Sequence, residues 1–333
     1  MTVTVAINGF GRIGRNVLRS IVENGRDDIQ VVAINDLGPV ETNAHLLRHD
    51  SVHGRFPSTV TVGENSISID GQEIRVTAER DPAKLPWADV DIALECTGIF
   101  TARDKAALHL QNGSKRVLVS APASGADATI VYGVNHDSLT ADDIIVSNAS
   151  CTTNCLSPVA KTLNDAVGIK RGFMTTIHSY TGDQPTLDTM HSDLYRSRAA
   201  AMNMIPTSTG AARAVGLVLP ELKGKLDGVA IRVPTPNVSV VDLTFEAARD
   251  TTAEEINDAV RAAAAGPLTG ILGVTDEKLV SMDFNHDSHS SIFATDQTKV
   301  LEGNMVRILS WYDNEWGFSC RMSDTAIAMA KLL

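Results

Sequence analysis

The chain predicts an α/β fold of two domains, on three observations. A β-branched run, Val3 to Ile7, passes at once into Asn8-Gly9-Phe10-Gly11-Arg12-Ile13-Gly14. One helical stretch later a second apolar run, Gln30 to Ile34, ends in Asn35-Asp36. After Cys151 the strand-like segments change from continuously apolar to alternating. The first half therefore reads as a Rossmann dinucleotide-binding domain, and the second as an α+β catalytic domain on a mainly antiparallel sheet. The expected boundaries are 1–150 and 151–316, with 317–333 as a C-terminal helix packing back on the N-terminal domain.

Each element has its own signal. Val3 to Ile7 suits a buried parallel strand, and Ile13, Val17, Leu18, Ile21 and Val22 recur at helical spacing up to a stop at Gly25. Val90 to Leu94 and Arg116 to Val119 are further strands, running into Glu95-Cys96-Thr97-Gly98 and Ser120-Ala121-Pro122, small and polar residues suited to a ligand crevice. Ile144 to Val146 leads into Ser147-Asn148-Ala149-Ser150-Cys151. Beyond it, Val241, Leu243 and Phe245 alternate with more polar residues, as in a sheet with one covered face. Thr252 with Glu255 predicts a capping box for a helix that closes at Gly266-Pro267, and Asp324 to Leu333 reads as a terminal helix.

Composition excludes several function classes. The 333 residues are 43% hydrophobic and 21% charged, ordinary for a soluble globular chain, and the net charge of −11 repels nucleic acid and anionic membranes. Any phosphate must be captured locally. No stretch approaches the ~18 apolar residues of a membrane span, and the first residues lead into a strand instead of a signal-peptide core, so a cytoplasmic location is expected. Cys96, Cys151, Cys155 and Cys320 show neither zinc-type spacing nor the density of a disulfide scaffold; all four read as thiols, with no metal expected.

Context strengthens the glycine motif. Gly9 permits a tight turn, Gly11 allows backbone N–H groups to approach a pyrophosphate, and Gly14 allows helix and strand to pack closely. Asp36, 22 positions after Gly14, can accept from ribose hydroxyls and opposes a 2′-phosphate, which favours NAD over NADP. The competing reading is a tight strand-to-helix turn without a ligand.

Leu156, Val159, Ala160 and Leu163 form the stripe of a helix whose first turn contains Cys151, with Pro158 tolerable only near its start. Unpaired N–H groups and the helix dipole favour thiolate there, and a nearby imidazolium would favour it further. The same segment also suits a small buried hydrophobe. Cys155, one turn on, reads as structural. Among nine histidines, His178 ends a short β run, Met174 to Ile177, and opens a polar loop where it can face a cleft, although most single histidines are surface or satisfied polar groups. Arg196 and Arg198, the turn Thr207-Ser208-Thr209-Gly210, and Arg232 suggest a local phosphate trap; the alternative for any one arginine is a surface ion pair.

Ser147-Asn148-Ala149-Ser150-Cys151-Thr152-Thr153-Asn154-Cys155 is similar to the signature around the nucleophile of glyceraldehyde-3-phosphate dehydrogenases. The resemblance spans nearly the whole chain, from Asn8 to Arg15 through His178-Ser179-Tyr180-Thr181 and Arg232-Val233-Pro234-Thr235-Pro236-Asn237 to Trp311-Tyr312-Asp313-Asn314-Glu315. It implies that Cys151 attacks the aldehyde, that His178 activates the thiol and then takes the hydroxyl proton as hydride leaves, and that phosphate cleaves the thioester. It further implies one phosphate site from Thr181, Asp183 and Arg232, with Asp183 contributing position, and a second, for inorganic phosphate, from Ser150, Thr152, Arg196, Thr209 and Gly210. The implied NAD contacts are Gly9, Arg12, Ile13, Asp36, Arg80, Thr97, Ser120 and Asn314, the last holding the carboxamide. A homotetramer is implied as well, with about Tyr180 to Met204 lining neighbouring cofactor sites.

Three departures stand out. Thr189-Met190 replaces a Leu-Pro common in strongly NAD-specific members, Tyr195 replaces an arginine and Phe318 a tyrosine. Neither Tyr195 nor Phe318 removes a group that this mechanism needs, whereas Thr189-Met190 leaves some NADP use open, with Asp36 followed by Leu37 still favouring NAD. The rival readings are oxidation of erythrose 4-phosphate on the same scaffold, an aspartate-semialdehyde-type reductase, and a non-catalytic NAD-binding protein.

Overall fold

Val3–Asn8 lies in the interior of a nine-stranded sheet because its side chains are apolar on both faces; Val5, Ala6 and Ile7 are fully buried. The computed structural model describes residues 2–333, which divide into two units: residues 2–130, 136–149 and 319–333, and residues 131–135 and 150–318.

In the first unit the strand order is Ala128–Thr129, Ile145–Ser147, Arg116–Val119, Ile92–Glu95, Val3–Asn8, Ile29–Asn35, Gln72–Thr77, Ser66–Ile69, Val60–Val62. The first seven run parallel and the last two pair antiparallel. The chain leaves Val3–Asn8 to one side toward Ile29–Asn35 and later fills the other side with Ile92–Glu95. This reversal creates a crevice at the carboxyl ends of these strands. Helix Arg12–Glu23 follows directly, and Gly25 takes φ +60 just past its end.

The second unit is built on an eight-stranded sheet ordered Ile205–Ser208, Leu226–Val233, Ile169–Ser179, Ser239–Ala247, Met305–Tyr312, Ser291–Ala294, Leu272–Thr275, with Lys299–Leu301 paired to Met305–Tyr312. Five of its seven strand pairs are antiparallel, so the sheet is mixed but mainly antiparallel. Val241, Leu243 and Phe245 point into the core while Thr244 is exposed. Helix Cys151–Val167 covers the apolar face with Leu156, Val159, Ala160 and Leu163, each essentially buried.

Three local expectations need correction. Pro158 is the eighth residue of Cys151–Val167 and lies inside the helix instead of near its start. Burying Leu156, Val159 and Leu163 is worth roughly 1.5–3 kcal/mol each, which outweighs the ~3 kcal/mol cost of an interior proline. Thr252 caps helix Ala253–Ala265 by accepting from the Glu255 N–H at 3.2 Å, but Glu255 does not complete the box: its carboxylate accepts from Arg249 and the Thr251 hydroxyl. A full charge on Arg249 outbids the neutral N–H of a cap residue. The terminal helix runs from Trp316 to Ala330 and so starts well before Asp324. The Asp313 carboxylate accepts from the N–H groups of Glu315 at 2.9 Å and Trp316 at 2.8 Å, which caps the helix at that earlier point. Within the first unit, the later part of this helix is held by Arg26 to Asp324 and Thr325 to Asn148, both at 2.8 Å.

Candidate active site

The glycines build the crevice for different reasons. Gly9 has φ +90, and a Cβ there would lie 2.7 Å from the Thr97 nitrogen; at Gly14 it would lie 2.1 Å from the Gly9 carbonyl oxygen. A Cβ on Gly11 would meet nothing within 4 Å, so its small size leaves open space above the turn. Helix Arg12–Glu23 starts there with no side-chain cap and no acidic residue in its first turn, leaving N–H groups for a phosphate. These features fit a dinucleotide. A cleft of about 350 Å³ is lined by Gly9, Gly11, Asp36, Arg80 and Thr97, together with Asn8 and Asn35, which the sequence reading did not single out. The Asp36 carboxylate accepts from the N–H groups of Phe10 and Gly38, both at 2.9 Å, which orients it at the cleft edge. Ile13 and Gly14 lie in the first turn of the helix, and Ser120 is tied by its N–H to the Glu95 carbonyl at 2.9 Å. Asn314 belongs to the second unit, where its Oδ1 accepts from Ser239 Oγ at 2.8 Å, leaving the amide N–H groups to donate elsewhere.

Arg12 forms an ion pair with the buried Asp50. Burial pushes the Asp50 carboxyl up, but Arg12 and the N–H groups of His53 and Val52 outweigh it and bring the pKa down to about 2. The unfolded value is ~3.9, so this pairing stabilises the fold above about pH 4 and is lost as pH falls through about 2. Asp50→Asn is expected to lower the unfolding midpoint at pH 7, with the difference from wild type vanishing near pH 2 in pH-dependent thermal melts.

Cys151 is the first residue of its helix, after the cap Ser150, whose hydroxyl accepts from the Thr153 N–H at 3.1 Å. Ala149, just before the cap, is held at φ +57, a conformation that costs a residue with a Cβ about 1–2 kcal/mol. His178 sits at the end of Ile169–Ser179, next to Arg232 in the parallel register. The Cys151 Sγ to His178 Nε2 distance is 3.5 Å. On the far side of the ring, Nδ1 is 2.7 Å from the Ser179 carbonyl, and Arg232 Nη1 lies 2.8 Å from Nδ1 and 2.9 Å from that carbonyl. Arg232 can only donate: a bond from it to Nδ1 leaves Nε2–H facing the sulfur, whereas Nδ1–H and Arg232 sharing the Ser179 carbonyl leaves the Nε2 lone pair there, and a base role for Nε2 requires the second arrangement.

The electrostatics differ from the sequence reading in one respect. Burial, then the Arg232 charge, drive the His178 pKa down to about 3, and the positive charge that acts on Cys151 is that of Arg232. Burial raises the Cys151 thiol, while Arg232 and the N–H groups at the helix start pull it back. Arg232 lies against the ring, where its charge opposes imidazolium; an anion bound on Arg232 relieves that repulsion.

Several of the residues expected to bind anions meet within the second unit. Arg196 donates to Asp183 at 2.9 Å and to the Thr207 hydroxyl at 3.0 Å, so Asp183 engages the arginine expected at the other phosphate site. Thr209 accepts from the Ala211 N–H at 3.1 Å, and Gly210 caps helix Ala211–Val218. The Thr153 hydroxyl reaches Ser150 Oγ at 2.8 Å and the Ala211 carbonyl at 3.4 Å, so the starts of two helices meet beside Ser150. The Thr152 hydroxyl turns inward to Tyr312 Oη at 2.8 Å, and Thr181 opens the loop beside it. Tyr312 also bonds Thr176 at 2.9 Å and meets the His178 ring edge-on at 5.9 Å. The sequence reading gave Tyr312 no role; the inward alternation of Met305–Tyr312 is the signal that points to it. Cys155 is buried, within 3.4 Å of Ser291 Oγ, and its thiol is pushed up to about 12 by burial.

A dinucleotide crevice in the first unit and, in the second, a thiol in the opening turn of a helix facing an imidazole are the parts expected of an NAD-dependent dehydrogenase. The chain matches two family models, "Glyceraldehyde 3-phosphate dehydrogenase, NAD binding domain" over residues 3–103 and "Glyceraldehyde 3-phosphate dehydrogenase, C-terminal domain" over residues 150–314. It is 77% identical over 333 residues to the glyceraldehyde-3-phosphate dehydrogenase of Cereibacter sphaeroides, covering 100% of both chains. It is 73% identical to that of Xanthobacter flavus, again covering 100% of both, and 58% identical to that of Pseudomonas aeruginosa, covering 99% of both. The chain belongs to the glyceraldehyde 3-phosphate dehydrogenase family.

Proposed function

We propose that this enzyme oxidises D-glyceraldehyde 3-phosphate to 1,3-bisphosphoglycerate with NAD and inorganic phosphate, in glycolysis and gluconeogenesis, through Cys151 and His178. The observation that carries this reading is the 3.5 Å approach of the Cys151 sulfur to the His178 Nε2, with Arg232 behind the ring. Nε2 takes the thiol proton as Sγ attacks the aldehyde carbon and returns it to the alkoxide that forms, giving a neutral thiohemiacetal and a free Nε2. It then takes the hydroxyl proton as the carbon loses hydride, and a thioester remains on Cys151. NAD, when bound through Gly9, Gly11, Arg12, Ile13, Gly14, Asp36, Arg80, Thr97, Ser120 and Asn314, supplies the hydride acceptor. Arg232 and Thr181 hold the substrate phosphate, with Asp183 contributing position, while Ser150, Thr152, Arg196, Thr209 and Gly210 receive the phosphate that cleaves the thioester.

A homotetramer is part of the same reading. Phe173, Ile177, Val229 and Met305 are exposed on one face of the eight-stranded sheet, and Met190 and Met202 stand out from the loop that follows it. Patches of this kind mark contact surfaces. The proposed location is the cytoplasm; among the described residues no helix is long and apolar enough to cross a membrane.

NADH formation from glyceraldehyde 3-phosphate and NAD is expected to continue only when phosphate is present, and to stop near one turnover per site without it. NADP should give a kcat/KM at least tenfold lower. Faster oxidation of erythrose 4-phosphate would overturn the substrate assignment.

A further inference from the structure

A buried polar chain crosses the strand ends beneath the dinucleotide cleft, and the reaction itself does not use it. Glu95 is 1% exposed at the end of Ile92–Glu95. Its Oε1 accepts from the Thr97 N–H at 2.9 Å and from the Thr97 hydroxyl. Its Oε2 accepts from Asn8 Nδ2 at 2.7 Å and lies 2.9 Å from Nε2 of the fully buried His109. Two N–H groups, a hydroxyl and the His109 nitrogen thus surround its two oxygens. Among the described residues Nδ1 of His109 has no partner, and the ring stacks on Trp87 at 5.5 Å, so the tautomer with hydrogen on Nε2, donating to Glu95, is the one that fits.

The chain has a direction. Asn8 donates to Glu95, so its Oδ1 is left to accept from Asn35 Nδ2 at 2.7 Å. Asn35 in turn points its Oδ1 at the Thr77 hydroxyl and the Glu79 N–H, both at 2.9 Å. Turning either amide over would face donor to donor along the row. Asn8, Asn35, Glu79 and Thr97 all line the cleft, and Gly9 packs directly on the Cys96–Thr97 peptide that Glu95 holds.

We propose that Glu95 is a positioning residue of the cofactor site: its carboxylate sets the orientation of Asn8 and Asn35 and holds Thr97 against the Gly9 turn, so the cleft is preformed for NAD. This rests on the NAD reading of the cleft. Glu95→Gln keeps the shape but places an NH2 group against Asn8 and His109. His109 can change tautomer and accept; Asn8 cannot turn without breaking its bond to Asn35.

The test is NAD titration by protein fluorescence, steady-state kinetics, and iodoacetamide alkylation of Cys151 in NAD-free enzyme. Glu95→Gln should raise the Kd for NAD at least tenfold, with kcat at saturating NAD within threefold and alkylation unchanged. Asn8→Asp combined with Glu95→Gln restores an acceptor opposite the new amide and should return the Kd to within threefold of wild type. A Glu95→Gln Kd within twofold of wild type would overturn the proposal. So would a double variant that does not fold or binds NAD tenfold more weakly; this arm decides the matter if Glu95→Gln alone does not fold. Failure of the wild type to bind NAD would instead remove the cofactor reading itself.

Discussion

Cys151→Ser is expected to lose at least ~10⁴-fold in kcat for phosphorylating oxidation, because a serine hydroxyl cannot form the thioester at a useful rate. The sulfur belongs to the second unit, whereas the glycine turn, the uncapped helix start and Asp36 belong to the first. NAD affinity should therefore stay within a few-fold of wild type. The checks are NADH formation at saturating substrate and direct NAD titration of the same preparation. Substantial turnover by the serine variant would end the covalent scheme, whatever its NAD affinity.

His178→Asn is expected to lower kcat by ~10²–10⁴-fold, the usual contribution of a positioned proton-transfer group. Its effect on the free thiol is the sharper readout. In wild type, Nε2 at 3.5 Å is placed to take the thiol proton, and a substrate phosphate on Arg232 offsets the charge that, with burial, drives its pKa down to about 3. Without it, the thiol must ionise against the burial that already raises its pKa. Alkylation by iodoacetamide should slow and its pH profile should move upward. An alkylation rate that does not change between the two proteins would show that sulfur and imidazole are not coupled.

Much of this site was legible in the residues because its parts are local. Gly9, Gly11 and Gly14 obey a turn geometry that needs no distant partner, and Cys151 follows a serine cap before an apolar stripe. His178 was less visible. A lone histidine has no periodic signal, and its meaning comes from a neighbour 27 residues away in the chain. Tyr312 and Glu95 were harder still, since each acts through partners from separate strands or helices. The limits of the terminal helix shifted for the same reason: the carboxylate that starts it is held by Asn237 and His286 from elsewhere in the second unit.

What the amino-acid order alone determined was the plan: a parallel dinucleotide-binding half, a second half on a mainly antiparallel sheet, and a nucleophile in the first turn of a helix. Hydrophobic period, turn chemistry and capping act over a few residues and can be read without coordinates. Only the folded chain decided the electrical state of the site. Burial and the placement of Arg232 against His178 shift the thiol and the imidazole from their ordinary pKa values, and both are properties of strands brought side by side. Charge and desolvation act through space, so their sum is defined only once distant residues have met.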